Sequence, residues 1–173
     1  REAAIEFTAD EQTYSRMKPK EIIEHLTQDL TDHFERKTKG VADAVRPTME
    51  RIYEERKDNM SMRIAFPITD GRKQYGIPVE LQKCKDSDGA EIYREFSKVA
   101  LFTTIDDAWR EHLREMDDLR QSVQNATYEQ KDPLLIYKLE SFQLFSKMIE
   151  DINRDVIVQL NKSGLAVRQS NPE

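Results

Sequence analysis

The sequence has few of the residues that interrupt helices or crosslink a chain. Its 173 residues include only five glycines, six prolines and one cysteine, Cys84. A single cysteine forms no internal disulfide, which is typical of proteins that work in a reducing cytosol. Scarce glycine combined with 35% charged residues favours a helix-rich protein with long solvated faces.

Long apolar runs and clusters of basic residues are also missing. The sequence has no apolar run of about 18 residues, so we expect no membrane-spanning helix. It has no basic start followed by an apolar stretch, so we expect no signal peptide. A net charge of −6 argues against nucleic acid as the main partner, because phosphate binding needs clustered Lys and Arg. The first residue is Arg1 rather than Met, and we expect the chain to be a piece of a longer protein.

Apolar spacing predicts a helical region after an irregular start. Residues 1–17 show no clear period, which predicts a loop. From Pro19, which suits the first position of a helix, apolar residues recur every three or four positions and predict helices over about 19–57. Gly40 and Pro47 interrupt this stripe, so we expect a kink or break near residues 40–46.

A change of period predicts a β-hairpin over about residues 61–83. Apolar residues alternate with other residues on both sides of Asp70-Gly71, a dipeptide that favours a turn. Because Pro67 and Pro78 lack a backbone N–H, we expect both strands to be edge strands. A lone hairpin is marginally stable in water, so its apolar face is expected to lie on the helices.

The second half of the chain predicts two long helices, over about 90–123 and 133–162. Asp132 suits the N-cap of the second helix, and Gly164 suits a left-handed residue at its end. A short connection makes neighbouring helices antiparallel, which places Tyr128 at the tip of a helical hairpin. We expect apolar side chains of the two helices to pack against each other, namely Trp109, Leu113, Met116, Leu119, Phe142, Phe145 and Ile149.

The fold class predicted from these elements is mainly α. It consists of a long antiparallel helical hairpin, further helices on its N-terminal side and a small two-stranded β-hairpin.

The chain offers weak candidates for chemistry. The segment "GRKQYG" begins like a phosphate-binding loop, but Ile77-Pro78 stands where Lys-Ser/Thr is required, so we expect no nucleotide site. His25 and His33, with Asp29 between them, share one helix face; a zinc site is possible, but a polar helix edge is the favoured interpretation, since zinc needs three or four converging ligands. We therefore expect no catalytic residues, no metal and no cofactor in this chain.

Tyr128 is the unusual residue of the connecting loop. Asn125, Thr127 and Asp132 are ordinary turn formers, whereas a tyrosine is not required by a turn. Its ring either folds back onto the helix ends or serves as a contact residue. Tyrosine offers a large amphipathic surface with few torsions to restrict, which suits varied partners.

A longer pattern in the same region resembles a known family. The segments "WREHL", "MDDLRQ", "YEQKDP" and "YKLESFQLF", within residues 104–157, resemble the C-terminal region of SecA, the motor ATPase family of bacterial preprotein translocation. The resemblance implies a helical wing region over 1–97, a helical scaffold with a two-helix finger over 90–164, and a tail over 165–173. The segment "QSVQNATY" stands where many family members carry a Gly- and Arg-containing stretch.

The resemblance also implies roles and partners. The finger would enter the SecYEG channel and contact unfolded preproteins and the channel through its loop, with Tyr128 as the central residue. The implied contact residues are Thr127, Tyr128, Glu129, Gln130 and Lys131. Other domains of the same motor would be further partners, with ATP and magnesium bound only by the parent protein. The implied location is the bacterial cytoplasm and the cytoplasmic face of the inner membrane, and the same region is described as a brake on ATP hydrolysis.

Two other functions stay open at this point. The apolar stripe could make the chain a coiled-coil module that forms homodimers. A metal hydrolase is a third hypothesis, and it depends on His25 and His33 alone.

Overall fold

The computed structural model describes residue 8 and the ranges 10–59, 61–125 and 132–166. It contains five α-helices and three β-strands within these ranges: α1 (Glu11–Arg16), α2 (Pro19–Glu55), β1 (Arg63–Thr69), β2 (Gln74–Glu80), α3 (Leu81–Asp86), α4 (Ala90–Asn125), α5 (Pro133–Lys162) and β3 (Gly164–Leu165). The fold is mainly α with a small antiparallel sheet, which confirms the predicted fold class.

The chain forms two compact units. Unit 1 comprises residues 1–99 and 158–173, and unit 2 comprises residues 100–157. Helices α4 and α5 contribute residues to both units. The wing and scaffold limits expected from the family resemblance stay predictions, and the two units are described separately below.

We expected a kink or a break near residues 40–46. Helix α2 is continuous from Pro19 to Glu55, so a break is wrong, and a kink stays a prediction. Pro47 lies inside this helix, and Gly40 has nothing within 4 Å of the position where a Cβ would stand. Burial of Val41, Val45 and Met49 holds the segment in place and outweighs the unfavourable helix propensity of glycine and proline.

Two short helices fall where the sequence predicted none. Helix α1 begins after Asp10, whose carboxylate accepts a hydrogen bond from the backbone N–H of Thr13 at 2.8 Å. The signal was therefore present as an N-cap residue before a polar helix, which apolar periodicity does not detect. Helix α3 begins directly after β2 and buries Leu81 and Cys84.

The predicted hairpin is confirmed, with its turn at Asp70-Gly71. The carboxylate of Asp70 accepts from the backbone N–H groups of Arg72 and Lys73, at 2.8 and 2.7 Å, and Gly71 has a φ of 86°. A third strand, β3, pairs with Ile68 and Thr69 and makes β1 the central strand.

The expectation that both strands lie at an edge is therefore wrong for β1. Pro67 is tolerated there because its carbonyl accepts a hydrogen bond from Ala166 at 3.0 Å, so only the donor half of the pairing is lost. In the hairpin ladder the N–H of Asp70 bonds to Lys73, and that of Leu81 bonds to Met62. Since bonding positions alternate along a strand, both Pro67 and Pro78 direct their nitrogens away from this ladder.

The core of unit 1 forms where one face of the sheet meets the helices. Ile68, Ile77, Val79, Ile92 and Phe96 are almost completely buried. The ring centroid of Tyr93 lies 5.5 Å from that of Phe96 and 5.4 Å from that of Phe34 on α2. The ring centroid of Tyr75 on β2 lies 5.9 Å from that of Phe96 on α4, so a helix contacts the apolar face of the hairpin, as expected.

The C-terminal end of α5 is fixed to this core by side chains. The Tyr93 hydroxyl donates to the Leu160 carbonyl, and the Lys37 ammonium donates to the Asn161 carbonyl. These donors satisfy carbonyls that lack partners inside the last turn of a helix. The helix ends at Lys162 as expected, but Gly164 is not left-handed, because its pairing with Thr69 in the sheet selects an extended backbone.

Candidate functional site: the helix pair of unit 2

Unit 2 consists of the later part of α4 and most of α5. Leu119 and Val123 on α4 and Met148 and Ile152 on α5 are buried, with at most 8% of their surface exposed. His112 contacts Phe145, whereas Leu119, which comes later on α4, lines a groove together with residues that precede Phe145 on α5. The two helices are therefore antiparallel within unit 2, in agreement with the predicted hairpin.

The connection between the helices is short. Helix α4 ends at Asn125 and α5 begins at Pro133. Asp132 is the expected N-cap: its carboxylate accepts a hydrogen bond from the backbone N–H of Leu134 at 2.9 Å. The cap fixes the residue at which α5 starts and satisfies a backbone donor of its first turn.

The predicted contact residues all belong to this connection. Thr127, Tyr128, Glu129, Gln130 and Lys131 lie outside the described residues. Their role as a contact site stays a prediction. The structure describes the two helix ends that flank them.

The seven side chains predicted to pack between the helices differ in their exposure, and their packing as a set stays a prediction. Of the seven side chains, Leu119 is buried and Met116 is half-buried, but the others are exposed. The exposed fractions are 46% for Trp109, 49% for Leu113, 71% for Phe142, 45% for Phe145 and 41% for Ile149. The apolar stripe is wider than the contact between two helices, so it covers both the buried seam and a neighbouring surface.

That neighbouring surface is named the aromatic face here. It consists of Trp109, Leu113, Phe142, Phe145 and Ile149. In a unit of 58 residues this is a large set of exposed apolar side chains. Exposed apolar side chains in such number commonly mark a site of interaction with another protein segment.

His112 lies beneath the aromatic face. It is 6% exposed, and its ring centroid lies 5.6 Å from that of Trp109 and 5.9 Å from that of Phe145. Its Nδ1 atom is buried and has no hydrogen-bond partner in the described part of the chain. The sequence analysis did not nominate His112 as a site residue.

Another part of unit 2 forms an acidic groove of about 560 Å³. Glu115, Asp118 and Glu140 supply carboxylates to its walls, and Lys147 supplies one cation. Leu119 and Leu144 also line it. A groove of this chemistry can accept cationic side chains together with a small apolar surface.

The other candidates for chemistry lie in unit 1. The His25 Nδ1 atom lies 3.4 Å from a carboxylate oxygen of Asp29. Asp29 is buried and also accepts two hydrogen bonds from Thr8, at 3.1 and 2.8 Å. These hydrogen bonds, first of all that from the backbone N–H of Thr8, lower the pKa of Asp29. Across the described ranges, no three His, Cys, Asp or Glu residues are arranged to hold a metal ion.

Cys84 is buried on α3. Burial raises the pKa of its thiol, so the reactive thiolate is disfavoured there. Within the described residues, no helix has both the length and the apolar run needed to cross a bilayer.

Comparison with known proteins gives a consistent result. Residues 1–163 match the family model described as the SecA Wing and Scaffold domain. The chain is 42% identical over 166 residues to the protein translocase subunit SecA of Phocaeicola vulgatus, covering 96% of this chain and 15% of that protein. It is 43% identical over 175 residues to the SecA subunit of Azobacteroides pseudotrichonymphae, covering 98% of this chain and 16% of that protein.

A third relative, the SecA subunit of Porphyromonas gingivalis, is 40% identical over 170 residues, which cover 98% of this chain and 15% of that protein. The chain thus spans only about 15% of the length of the curated relatives that it matches. No solved structure matched the chain.

Proposed function

The chain belongs to the SecA wing and scaffold family, and from this membership we propose that it is one part of an ATP-driven protein translocation motor. The relatives are several times longer than the chain, so their remaining length has room for the ATPase. The sequence carries no phosphate-binding loop, and on this proposal the 173 residues hydrolyse no ATP on their own. ATP and magnesium bind elsewhere in the parent protein.

Within that motor, unit 2 acts as a two-helix finger. Residues 127–131 contact the preprotein and the SecYEG channel, with Tyr128 as the main contact. The observation that supports this role is the antiparallel helix pair, whose two ends flank these residues and whose second helix starts at the Asp132 cap. Motion driven by ATP elsewhere in the motor reaches the finger through its helices and moves the loop.

Tyrosine suits such a contact because preproteins have unrelated sequences. One aromatic ring can touch many kinds of side chain without a specific pocket. The further partners are other domains of the same motor. The proposed place of work is the bacterial cytoplasm and the cytoplasmic face of the inner membrane, where the motor is a peripheral protein.

The test uses the full-length motor with Tyr128→Ala and the matched control Tyr128→Phe. We expect the alanine variant to transport preprotein more slowly, and the phenylalanine variant, which keeps the ring, to retain most of the transport. A photo-crosslinker at position 128 should react with a stalled preprotein. Normal transport by Tyr128→Ala, together with no crosslink, would show that this residue is not the contact.

A homodimeric module is the second candidate, and the aromatic face is the observation that favours it. A second copy of the chain could cover Trp109 and Phe145. Sedimentation of the 173-residue chain separates the two ideas, because the motor proposal needs no dimer. If a dimer forms, Phe145→Asp should dissociate it without unfolding the chain, whereas Leu119→Asp would disrupt the fold itself, since Leu119 is buried.

A further inference from the structure

The last turn of α5 accepts hydrogen bonds from two other helices. The Tyr93 hydroxyl on α4 donates to the Leu160 carbonyl, and the Lys37 ammonium on α2 donates to the Asn161 carbonyl. These two carbonyls are consecutive and lie at the C-terminal end of a helix, where the helix itself offers no partner and where its macrodipole favours a cation. Both donors therefore suit this end of α5 in particular.

The sheet holds the same end of α5. The side-chain amide of Gln159 donates to the Tyr75 hydroxyl on β2 at 3.0 Å. Directly after the helix, Gly164–Leu165 pairs with Thr69 and Ile68 of β1. Together with the two bonds to the last turn, these contacts are named the α5 anchor here. All residues of the α5 anchor belong to unit 1.

The hydrogen bonds of the α5 anchor restrict α5 more tightly than apolar packing would. Apolar contacts are non-directional, so packed helices can shift along each other by small steps. A hydrogen bond, in contrast, is lost once its donor and acceptor separate beyond about 3.5 Å. Tyr93 is completely buried and Lys37 is half-buried, so a displaced carbonyl would leave their polar groups poorly solvated. The α5 anchor therefore fixes the position of α5 along its own axis.

Helix α5 connects the α5 anchor to the predicted contact residues. It is one helix of 30 residues from Pro133 to Lys162, and it is thus about 45 Å long. Its first residue follows the Asp132 cap, and residues 127–131 come directly before that cap. Because the backbone hydrogen bonds of a helix keep its rise per residue constant, an axial shift at the anchored end also moves the end at Asp132.

We propose that Lys37 and Tyr93 are positioning residues for the contact loop at 127–131. They hold one end of α5 in unit 1 and thereby determine the position of the helix start that carries the loop. When this end is loose, part of the motion driven by ATP shifts α5 within unit 1 and does not reach the loop, so less preprotein moves for each ATP hydrolysed. The inference rests on the proposed function, since it needs a motor in which this loop moves the preprotein.

The experiment measures the amount of preprotein translocated per ATP hydrolysed by the full-length motor. The test variant combines Lys37→Met with Tyr93→Phe, which removes both donors and keeps most of the side-chain volume. We expect ATP hydrolysis to stay within about twofold of the unchanged motor and the translocated amount per ATP to fall about three- to tenfold, because two hydrogen bonds are lost. If the double variant does not fold, Lys37→Met alone is measured, and we expect a fall of about two- to fivefold.

Gly89→Ala is the matched control for a loss of stability alone. Gly89 lies in unit 1 with a φ of 87°, and a Cβ there would lie 3.2 Å from the Cα of Ala42, so this substitution destabilises unit 1 through Ala42 rather than through the α5 anchor. We expect the translocated amount per ATP to stay within about 1.5-fold of the unchanged motor. Lys37→Arg keeps a cationic donor and should retain most of the coupling that Lys37→Met loses.

The inference is overturned if the variants of Lys37 and Tyr93 translocate as much preprotein per ATP as the unchanged motor, or if Gly89→Ala shows the same fall as they do. Normal coupling in these variants alongside impaired transport by Tyr128→Ala would remove the inference and leave the proposed function standing. Normal transport by Tyr128→Ala without a crosslink from position 128 would remove the proposed function, and the inference with it.

Discussion

The hydroxyl of Tyr93, on α4, donates a hydrogen bond to the carbonyl of Leu160, in the last turn of α5. The two residues are 67 positions apart in the sequence, and Tyr93 is completely buried. The bond fixes the end of α5 to the core of unit 1 and satisfies a carbonyl that the helix itself leaves open.

Removal of that hydroxyl should weaken unit 1. We expect Tyr93→Phe to lower the free energy of unfolding by about 1–2 kcal/mol, because the ring still packs but the Leu160 carbonyl loses its donor. Urea denaturation followed by circular dichroism measures the change. Tyr137→Phe is the control, since the hydroxyl of half-buried Tyr137 has no hydrogen bond to the described residues. An equal loss of unfolding free energy in both variants would contradict the role assigned to the Tyr93 hydroxyl.

Lys37 should make stability depend on pH. Burial lowers the pKa of its ammonium from 10.5 to about 8. Between these values the unfolded chain binds more protons than the folded chain, so the contribution of Lys37 to stability rises as the pH increases from about 8 to about 10. We expect the unchanged chain to gain about 1–3 kcal/mol over this interval relative to Lys37→Met, after allowance for partial exposure. Equal pH profiles of the two proteins in urea denaturation would contradict this.

Two glycines should respond in opposite directions to the same substitution. Gly89 has a φ of 87°, and a Cβ there would lie 3.2 Å from the Cα of Ala42. We expect Gly89→Ala to destabilise the chain by about 1–3 kcal/mol, because it combines backbone strain with a clash. Gly40 is inside α2 with open space around it, and we expect Gly40→Ala to stabilise by about 0.5–1 kcal/mol. Thermal melts of both variants provide the comparison.

Substitutions in the buried seam of unit 2 should lower stability more than substitutions on its aromatic face. We expect Leu119→Ala to cost about 2–4 kcal/mol, since 94% of this side chain is removed from solvent. Phe142→Ala removes a larger side chain but should change stability by less than about 0.5 kcal/mol, because Phe142 is 71% exposed. Hydrogen exchange at the amides of α4 and α5 locates the effect in unit 2, and a large loss from Phe142→Ala would show that the aromatic face is packed in solution.

The sequence predicts the elements of this fold better than their packing. The hairpin and its turn follow from alternation around Asp70-Gly71, and the start of α5 follows from Asp132, because these signals are local. Periodicity also finds the apolar stripe of α4. It does not separate Leu119, in the seam, from Trp109, on the surface, because both lie on one broad apolar side of the helix.

Other features depend on contacts between distant parts of the chain. The strand Gly164–Leu165 is too short to carry an alternating pattern, and it exists because β1 offers a free edge to it. The continuity of α2 through Pro47 depends on the burial of neighbouring residues, and the helix propensities of single residues do not take burial into account. The unpartnered nitrogen of His112 is visible only when the surrounding rings are in place.

The composition of unit 1 has a practical consequence for dissecting the protein. Unit 1 consists of residues 1–99 together with the segment that begins at residue 158. A polypeptide that stops at Val99 would keep Tyr93 and Lys37 but lose the two carbonyls to which they bond. Such a truncation would be expected to aggregate or to fold loosely. Unit 1 is better obtained by excising residues 100–157 and rejoining the flanks through a short flexible linker, which preserves the returning strand.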